Sequence, residues 1–412
     1  MSGLSLSLFF VATTLVLALI NRRAYRWIVS AFGPPRWLRR TLAGVLVASL
    51  AAMTLGRVVD WLSADAPVEN VLIIASTVQL TVLMSVLMLL AVDVVRLAGA
   101  LGRRFQRKPV TATATTGDAP QNSPELPRRA FLTQAAVGSA FLVSGTSSLY
   151  GTLAGRHDYS VEDFPIHLPG LPRALDGFTI VQLSDIHVGR FVTDAELNAA
   201  EELLRHARAD VIVLTGDLLD HDARLADRLG RFVRRIGPLA REGVVAIAGN
   251  HDFYAGIDAT VRAVEGAGAR MLRNRGLVIG GDSAAFALLG VDDVFARRRG
   301  GGPDLERSIA SLPPVGGSAA KARDLPRVLL CHNPSFFEEA APHVGLQLSG
   351  HTHGGQVSLV VNPAEWVLKN GWVRGHYELD GSHLYVNRGF GTVGPPARIG
   401  SPPELTRVVL MA

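Results

Sequence analysis

Five short stretches of this chain end in side chains of the kind that ligate metal ions: Ser184-Asp185-Ile186-His187, Gly216-Asp217, Gly249-Asn250-His251-Asp252, His332-Asn333 and Gly350-His351-Thr352-His353. A single aspartate or histidine serves as readily as a helix cap or a satisfied core contact. Five such endings together point to a metal centre. Carboxylate, amide and imidazole donors without a thiolate suit manganese, iron or zinc, and donor type does not choose among the three; the imidazoles count against magnesium. All 12 histidines lie at or beyond residue 157, so this chemistry belongs to the C-terminal part of the chain.

Each ending follows an apolar run of strand character, at residues 178–183, 211–214, 244–248, 328–330 and 346–348. Several are rich in β-branched side chains. The carboxyl ends of strands in α/β folds converge on one crevice, which lets endings far apart in sequence meet. Gly216, Gly249 and Gly350 permit the tight turns and close backbone approach that a strand-end site needs. Between the first two runs, Thr193 and Glu196 are spaced as a capping box, with Leu197, Ala200, Leu203, Leu204 and Ala207 following on one helical face. A second helix carries Leu225, Leu229, Phe232, Val233 and Ile236. Short apolar runs alternating with amphipathic helices predict an α/β domain over residues 158–412.

The ordered set Asp-x-His, Gly-Asp, Gly-Asn-His-Asp, His and Gly-His-x-His, within residues 178–356, resembles the calcineurin-like metallophosphoesterases. The GHTHGGQ form at residues 350–356, with YVNRGFG at 385–391, is similar to a branch of membrane-associated bacterial phosphodiesterases. The resemblance implies a four-layer α/β/β/α sandwich. It also implies hydrolysis of a phosphodiester, phosphomonoester or pyrophosphate, with two divalent ions that polarise the phosphoryl group and activate hydroxide. Asp185, His187 and His353 would hold one ion and Asn250, His332 and His351 the other, with Asp217 bridging them. His251 then lies outside the ligand set, where it protonates the leaving oxygen or stabilises phosphoryl charge. Asp252 is the neighbour expected to orient it or raise its pKa. Arg388, in the RGFG segment, is a candidate contact for the substrate phosphate.

The same comparison sets limits. Protein serine/threonine phosphatases carry Asp-Arg-Gly after the second motif, whereas this chain reads Asp217-Leu218-Leu219-Asp220-His221. No aromatic-interleaved basic groove suggests a nucleic-acid substrate. Cys331 is the only cysteine, which excludes an intramolecular disulfide. It precedes His332 on a strand and is expected to face the core. Arg297-Arg298-Arg299 and the three glycines after them read as a solvated basic loop. Trp366, Val367, Leu368 and Trp372 belong either at a bilayer interface or in the core.

With 412 residues, 48% of them hydrophobic, the chain has room for more than one domain and apolar residues enough for membrane spans. Residues 5–20, 41–56 and 71–92 read as three spans of a helical region over residues 1–102, and residues 103–127 as a polar linker. Arg128-Arg129 and the weakly apolar run behind them resemble a bacterial twin-arginine export signal, and residues 128–157 are expected to hold a fourth span. Pro127, Thr133 and the internal position of the motif depart from that pattern.

Arg22, Arg23, Arg26, Arg36, Arg39 and Arg40 put the first loop on the cytoplasmic side. A crossing by residues 130–151 then carries the catalytic domain to the periplasm or cell exterior. The net charge of +5 comes largely with arginines that flank the spans, which is not the footprint of a nucleic-acid binder. The expected protein is therefore a multi-pass enzyme of the bacterial inner membrane. Its anchoring favours a lipid-linked or nucleotide-sugar substrate, and the twin-arginine translocase is the expected partner during export. The alternative is a degenerate phosphoesterase domain that binds ligand as a membrane-anchored scaffold, against which the intact ligand set counts.

Overall fold

The computed structural model describes residues 3–63, 67–106, 128–316, 318–358 and 362–412. It divides into two units, Met1–Asp60 with Asn70–Tyr150, and Trp61–Glu69 with Gly151–Ala412. Residues 107–127, most of the expected linker, lie outside the described residues.

The first unit is built from four helices: α1 (Gly3–Phe32), α2 (Arg36–Leu62), α3 (Glu69–Gln106) and α4 (Arg128–Leu153). The chain leaves α1 at Gly33, whose φ of 54° is the left-handed conformation that ends many helices. Pro34 and Pro35 then block its continuation. Among the described residues two stretches are long and apolar enough to cross a membrane, Arg36–Val59 in α2 and Glu69–Gly99 in α3. The first and fourth expected spans fall on α1 and α4, which are not among these two. In α4 the apolar residues are diluted by Gln134, Ser139, Ser144, Thr146, Ser147 and Ser148. Buried polar groups of the helices satisfy one another: Asn21 donates to Gln79 Oε1 at 2.7 Å, and Gln79 donates to Ser49 Oγ at 2.8 Å. Interhelical bonds of this kind fix register where water is scarce.

The second unit opens with β1 (Ser160–His167), β2 (Phe178–Leu183), α5 (Asp194–Ala207), β3 (Val211–Thr215), α6 (Ala226–Ile236) and β4 (Val244–Ile247). It continues through α7 (Asn250–Ala255), α8 (Ile257–Gly266), β5 (Arg270–Met271), β6 (Arg275–Gly281), β7 (Ala284–Gly290) and α9 (Leu305–Ala310). Its last strands are β8 (Arg327–Leu330), β9 (Leu346–Ser349), β10 (Gly375–Leu379), β11 (Ser382–Val386) and β12 (Glu404–Met411). They form two six-stranded sheets, in the orders β1-β12-β2-β3-β4-β5 and β10-β11-β9-β8-β7-β6. Strands β2 to β5 run parallel, as do β7, β8, β9 and β11, so two bundles of carboxyl ends are created.

Alternation along each strand decides what lies between the layers. Ile180, Val211, Val213, Val245 and Ile247 of the first sheet share one buried cluster with Phe286, Leu288, Val328, Leu330, Leu346 and Leu348 of the second. The opposite-facing Val181, Leu183, Ile212, Leu214 and Ala246 pack with Leu197 and Leu204 of α5 and Phe232 of α6. On the second sheet Ala287, Leu289, Leu329 and Cys331 pack with Leu305 of α9 and with Phe336. The capping box at Thr193 and Glu196 is formed, with Ala195 N–H donating to the threonine hydroxyl. Cys331 is buried, on the opposite face from the inter-sheet cluster. Trp372 packs on the ring of Phe337, whereas Trp366 and Val367 are exposed.

Candidate metal centre

The five ligand-bearing endings follow β2, β3, β4, β8 and β9, and their side chains meet. Asp185 and His187 leave β2, Asp217 leaves β3, Asn250 and His251 begin α7 after β4, His332 follows β8, and His351 and His353 follow β9. Asp185, His187, Asp217, His351 and His353 all adopt left-handed backbone, with φ between 51° and 74°. For residues with a Cβ this costs about 1–3 kcal/mol each and persists only where surrounding structure imposes it. Here the strand pairing imposes it, since Asp185 N–H donates to Gly216 O at 3.0 Å and His187 N–H to Asp217 O at 2.9 Å. Glycines let these bends touch. A Cβ on Gly249 would collide with Asp217, and one on Gly350 with Ser184 and Asp185.

Among the described residues three groups of donors result. Asp185, His187 and His353 form one triad of expected ligands and Asp217, His332 and His351 another, while His187, Asp220 and His251 make a third group, each with ligand atoms within 4.8 Å of one another. His187 Nε2 is 3.1 Å from His353 Nε2, and His353 Nε2 is 3.4 Å from Asp185 Oδ1. Asp217 Oδ2 stands between the triads, 3.6 Å from His187 Nε2 and 3.2 Å from His332 Nε2. Donors on a tetrahedral cation with bonds of about 2.0–2.1 Å are separated by about 3.3 Å. These residues therefore fit a metal ion. His332 Nδ1 donates to Thr215 O at 2.8 Å, which leaves Nε2 as the coordinating atom. The side chain of Asn250 hydrogen-bonds the Tyr254 hydroxyl, and its buried Oδ1 has no partner. An orphaned buried acceptor in such a place is what a cation would satisfy.

The electrostatics follow from crowding charged groups in a buried site. Burial opposes ionisation of Asp217, but His332, His187 and His251 outweigh it and hold the carboxyl far below its ordinary range. The imidazoles of His353 and His351 are held below the usual histidine value, first by burial and then by neighbouring His187 and His332 respectively.

His251 differs in its partners. Its Nδ1 donates to the Asp220 carbonyl oxygen at 2.7 Å and lies 3.3 Å from Asp220 Oδ1. Burial opposes protonation, yet Asp220 and then Asp217 raise its pKa to about 9. Nδ1 is thus committed to the backbone, so the second proton of the imidazolium sits on Nε2. The side chain is only 20% exposed.

One expectation is corrected here. Asp252 does not orient His251: its buried carboxylate accepts from the N–H groups of Gly249, Leu218 and Leu219 at 2.9–3.2 Å, pinning the β3 and β4 loops together. The carboxylate beside the His251 imidazole is that of Asp220, three residues past Asp217, where the β3 loop curls back; His187 Nδ1 also lies 3.5 Å from it. Glu162 and Glu404 flank the Arg388 guanidinium at 2.6 and 2.8 Å. The arginine that reaches the centre is Arg398, fully buried, which donates to the carbonyls of Arg388 and Gly389 and approaches His353 Nδ1 at 3.2 Å. Arg297 and Arg298 are exposed, as a solvated basic segment should be, and residues 294–299 form a 3-10 turn capped by Asp293, whose Oδ1 accepts from Phe295 N–H at 2.7 Å.

With this geometry in place, likeness to other proteins becomes informative. The calcineurin-like phosphoesterase family model matches residues 178–355, which include both triads. An uncharacterized metallophosphoesterase of Aquifex aeolicus is 30% identical over 61% of this chain and 91% of its own length. The phosphodiesterase YaeI of Escherichia coli is 31% identical over 57% of this chain and 82% of its own. This chain belongs to the calcineurin-like phosphoesterase family. A transmembrane protein with metallophosphoesterase domain from Danio rerio is 30% identical over 66% of this chain, and the match spans 62% of that protein. The phosphoesterase domain here is of the class that hydrolyses phosphoric esters, with groups of aspartate and histidine that suit divalent metal.

The position of Asp220 yields a direct test. In metal-free protein His251 should titrate at about 9. Asp220→Asn removes the carboxylate that favours the imidazolium, so the pKa should fall toward the ordinary histidine value near 6.5. Histidine-selective NMR titration measures it, and an unmoved pKa would exclude the Asp220 carboxylate as the group that favours the imidazolium.

Proposed function

We propose that this chain is a membrane-anchored phosphoesterase in which Asp185, His187 and His353 hold one divalent ion, Asn250, His332 and His351 hold a second, and Asp217 serves both. The observation that carries this reading is the single Asp217 oxygen within 3.6 Å of an imidazole from each triad. The architecture that goes with it is a four-layer α/β/β/α sandwich over residues 158–412. Two bound cations would polarise the phosphoryl oxygens and neutralise charge as the ester bond breaks.

The chain's own residues supply the rest. Hydrolysis adds water across a P–O bond: the water oxygen ends on phosphorus and the leaving oxygen takes a proton. His251 holds that proton at Nε2, fixed in orientation by its Nδ1 bond to Asp220 O. Asp252 clamps the β3 and β4 loops so that Asp217 and Asn250 keep their separation. Arg398 ties the segment around residues 388–391 to the His353 side of the centre.

Manganese, iron or zinc would suit these donors. The membrane location rests on the apolar stretches of α2 and α3 and on the name of the Danio rerio relative. It favours an envelope substrate, lipid-linked or a nucleotide sugar. We place the catalytic domain outside the cytoplasm, with α4 as the crossing segment and Arg128-Arg129 as its export signal.

Three outcomes are expected. Reconstituted full-length protein should hold two metal ions by elemental analysis, and Asp217→Asn should lose metal and activity together. Metal-free but fully active protein, or an Asp217→Asn variant as active as the parent, would rule out the shared-carboxylate centre.

His251→Ala should retain its metal and lose about 100-fold or more in turnover. The loss should shrink for nitrophenyl esters, whose leaving oxygen needs no proton. An equal loss with every leaving group would assign His251 a purely electrostatic task.

A reporter fused after Ala412 checks the side of the membrane. Protease added to spheroplasts should cut the reporter, a readout that holds even though a twin-arginine route delivers folded protein. A reporter that stays intact until the membrane is permeabilised would place the domain in the cytoplasm.

A further inference from the structure

Beside His251 the structure gathers groups that neither triad uses. The His251 ring meets the Tyr254 ring at 5.2 Å between centroids, and Tyr254 meets Phe295 at 4.7 Å with the rings 79° apart. The Arg298 guanidinium lies 5.8 Å from the Phe295 centroid. Tyr254 comes from α7, and Phe295 and Arg298 from the 3-10 turn at residues 294–299, so two separate segments build this corner. Tyr254 is 47% exposed. Among the described residues Arg298 has no carboxylate within ion-pair distance, whereas its neighbour Arg297 pairs with Glu339 at 2.7 Å. The Asp293 cap and the Arg297 pair hold the turn that presents Phe295 and Arg298.

Chemistry says what such a corner would take. Tyr254, held edge-on by the Phe295 ring and 47% exposed, offers aromatic surface to a planar group. An exposed guanidinium without a carboxylate partner offers forked donors to an anion. Tyr254 lies next to the imidazole read as the proton donor, with Phe295 beside Tyr254 and Arg298 beside Phe295.

We infer that Tyr254, Phe295 and Arg298 form a leaving-group subsite that takes a planar ring together with a second anionic group, as in a nucleoside monophosphate released from a diphosphate. This rests on the reading of His251 as the proton donor to the leaving oxygen. The bond broken is the bridging P–O bond. Water supplies the oxygen to the transferred phosphoryl, and the released monophosphate carries away the bridging oxygen.

The test uses the full-length, metal-loaded protein in detergent and two diphosphates with the same transferred group, the methyl ester of ADP and dimethyl diphosphate. Bis(p-nitrophenyl) phosphate is the third substrate. Stacking of a base on an aromatic pair predicts kcat/KM about tenfold or more higher for methyl-ADP than for dimethyl diphosphate, mainly through KM. Tyr254→Leu should bring that ratio near one. Arg298→Ala should lower the ratio of methyl-ADP to bis(p-nitrophenyl) phosphate by about tenfold, the weight of one charge-assisted contact. In isotopically heavy water the label should enter methyl phosphate and not AMP.

A wild-type ratio near one, ratios unmoved by both substitutions, or label found in AMP would overturn the subsite. Turnover of bis(p-nitrophenyl) phosphate with none of methyl-ADP would overturn it while leaving the phosphoesterase reading intact. Failure with all three substrates would remove that reading, and the subsite with it.

Discussion

A buried carboxylate with several positive neighbours fixes the centre of this molecule. Asp217 is almost wholly inside the protein, where a lone charge is expensive, and its environment answers that cost from several directions. His332 and His187 approach one oxygen, and the His251 backbone N–H donates to the other at 2.8 Å. Each of these groups comes from a different strand end. Removing the carboxylate would leave three elements converging on nothing.

Holding those elements together requires backbone that few residues tolerate. Asp185, His187, Asp217, His351 and His353 are left-handed, and Asp and His are among the residue types least penalised there. Ligand chemistry and backbone geometry thus favour the same side chains. Gly249 and Gly350 answer the complementary need, since their missing Cβ atoms let the β4 and β9 loops approach Asp217 and Asp185. The strain is maintained by the inter-sheet core, where Val213, Ile247, Leu330 and Leu348 anchor the strands just before they bend.

Much of this was legible in the sequence because it is local. The five apolar runs coincide with β2, β3, β4, β8 and β9, since a short buried strand ending in polar residues carries its own signature. What the sequence did not disclose depends on where loops turn. Asp220 and Asp252 both flank His251 in reach of the chain, and only the curl of the β3 loop decides that Asp220 meets the imidazole while Asp252 caps backbone. Arg388 and Arg398 differ in the same way: the first is drawn outward to Glu162, and the second is folded beneath the glycine-rich segment. Strands β1 and β12 escaped notice because their partners are over 200 residues apart, as in the pairing of Ser160 with Glu404.

That last pairing has a consequence for how the protein is made. Strand β12 is not an edge: it lies between β1 and β2, parallel to one and antiparallel to the other. The first sheet is therefore split until residues 404–411 arrive, and β2, which delivers Asp185 and His187, has an open flank until then. Folding of this unit on the ribosome cannot finish before β12 emerges, so the nascent chain depends on holding its apolar strands apart, or on a chaperone doing so, up to that point.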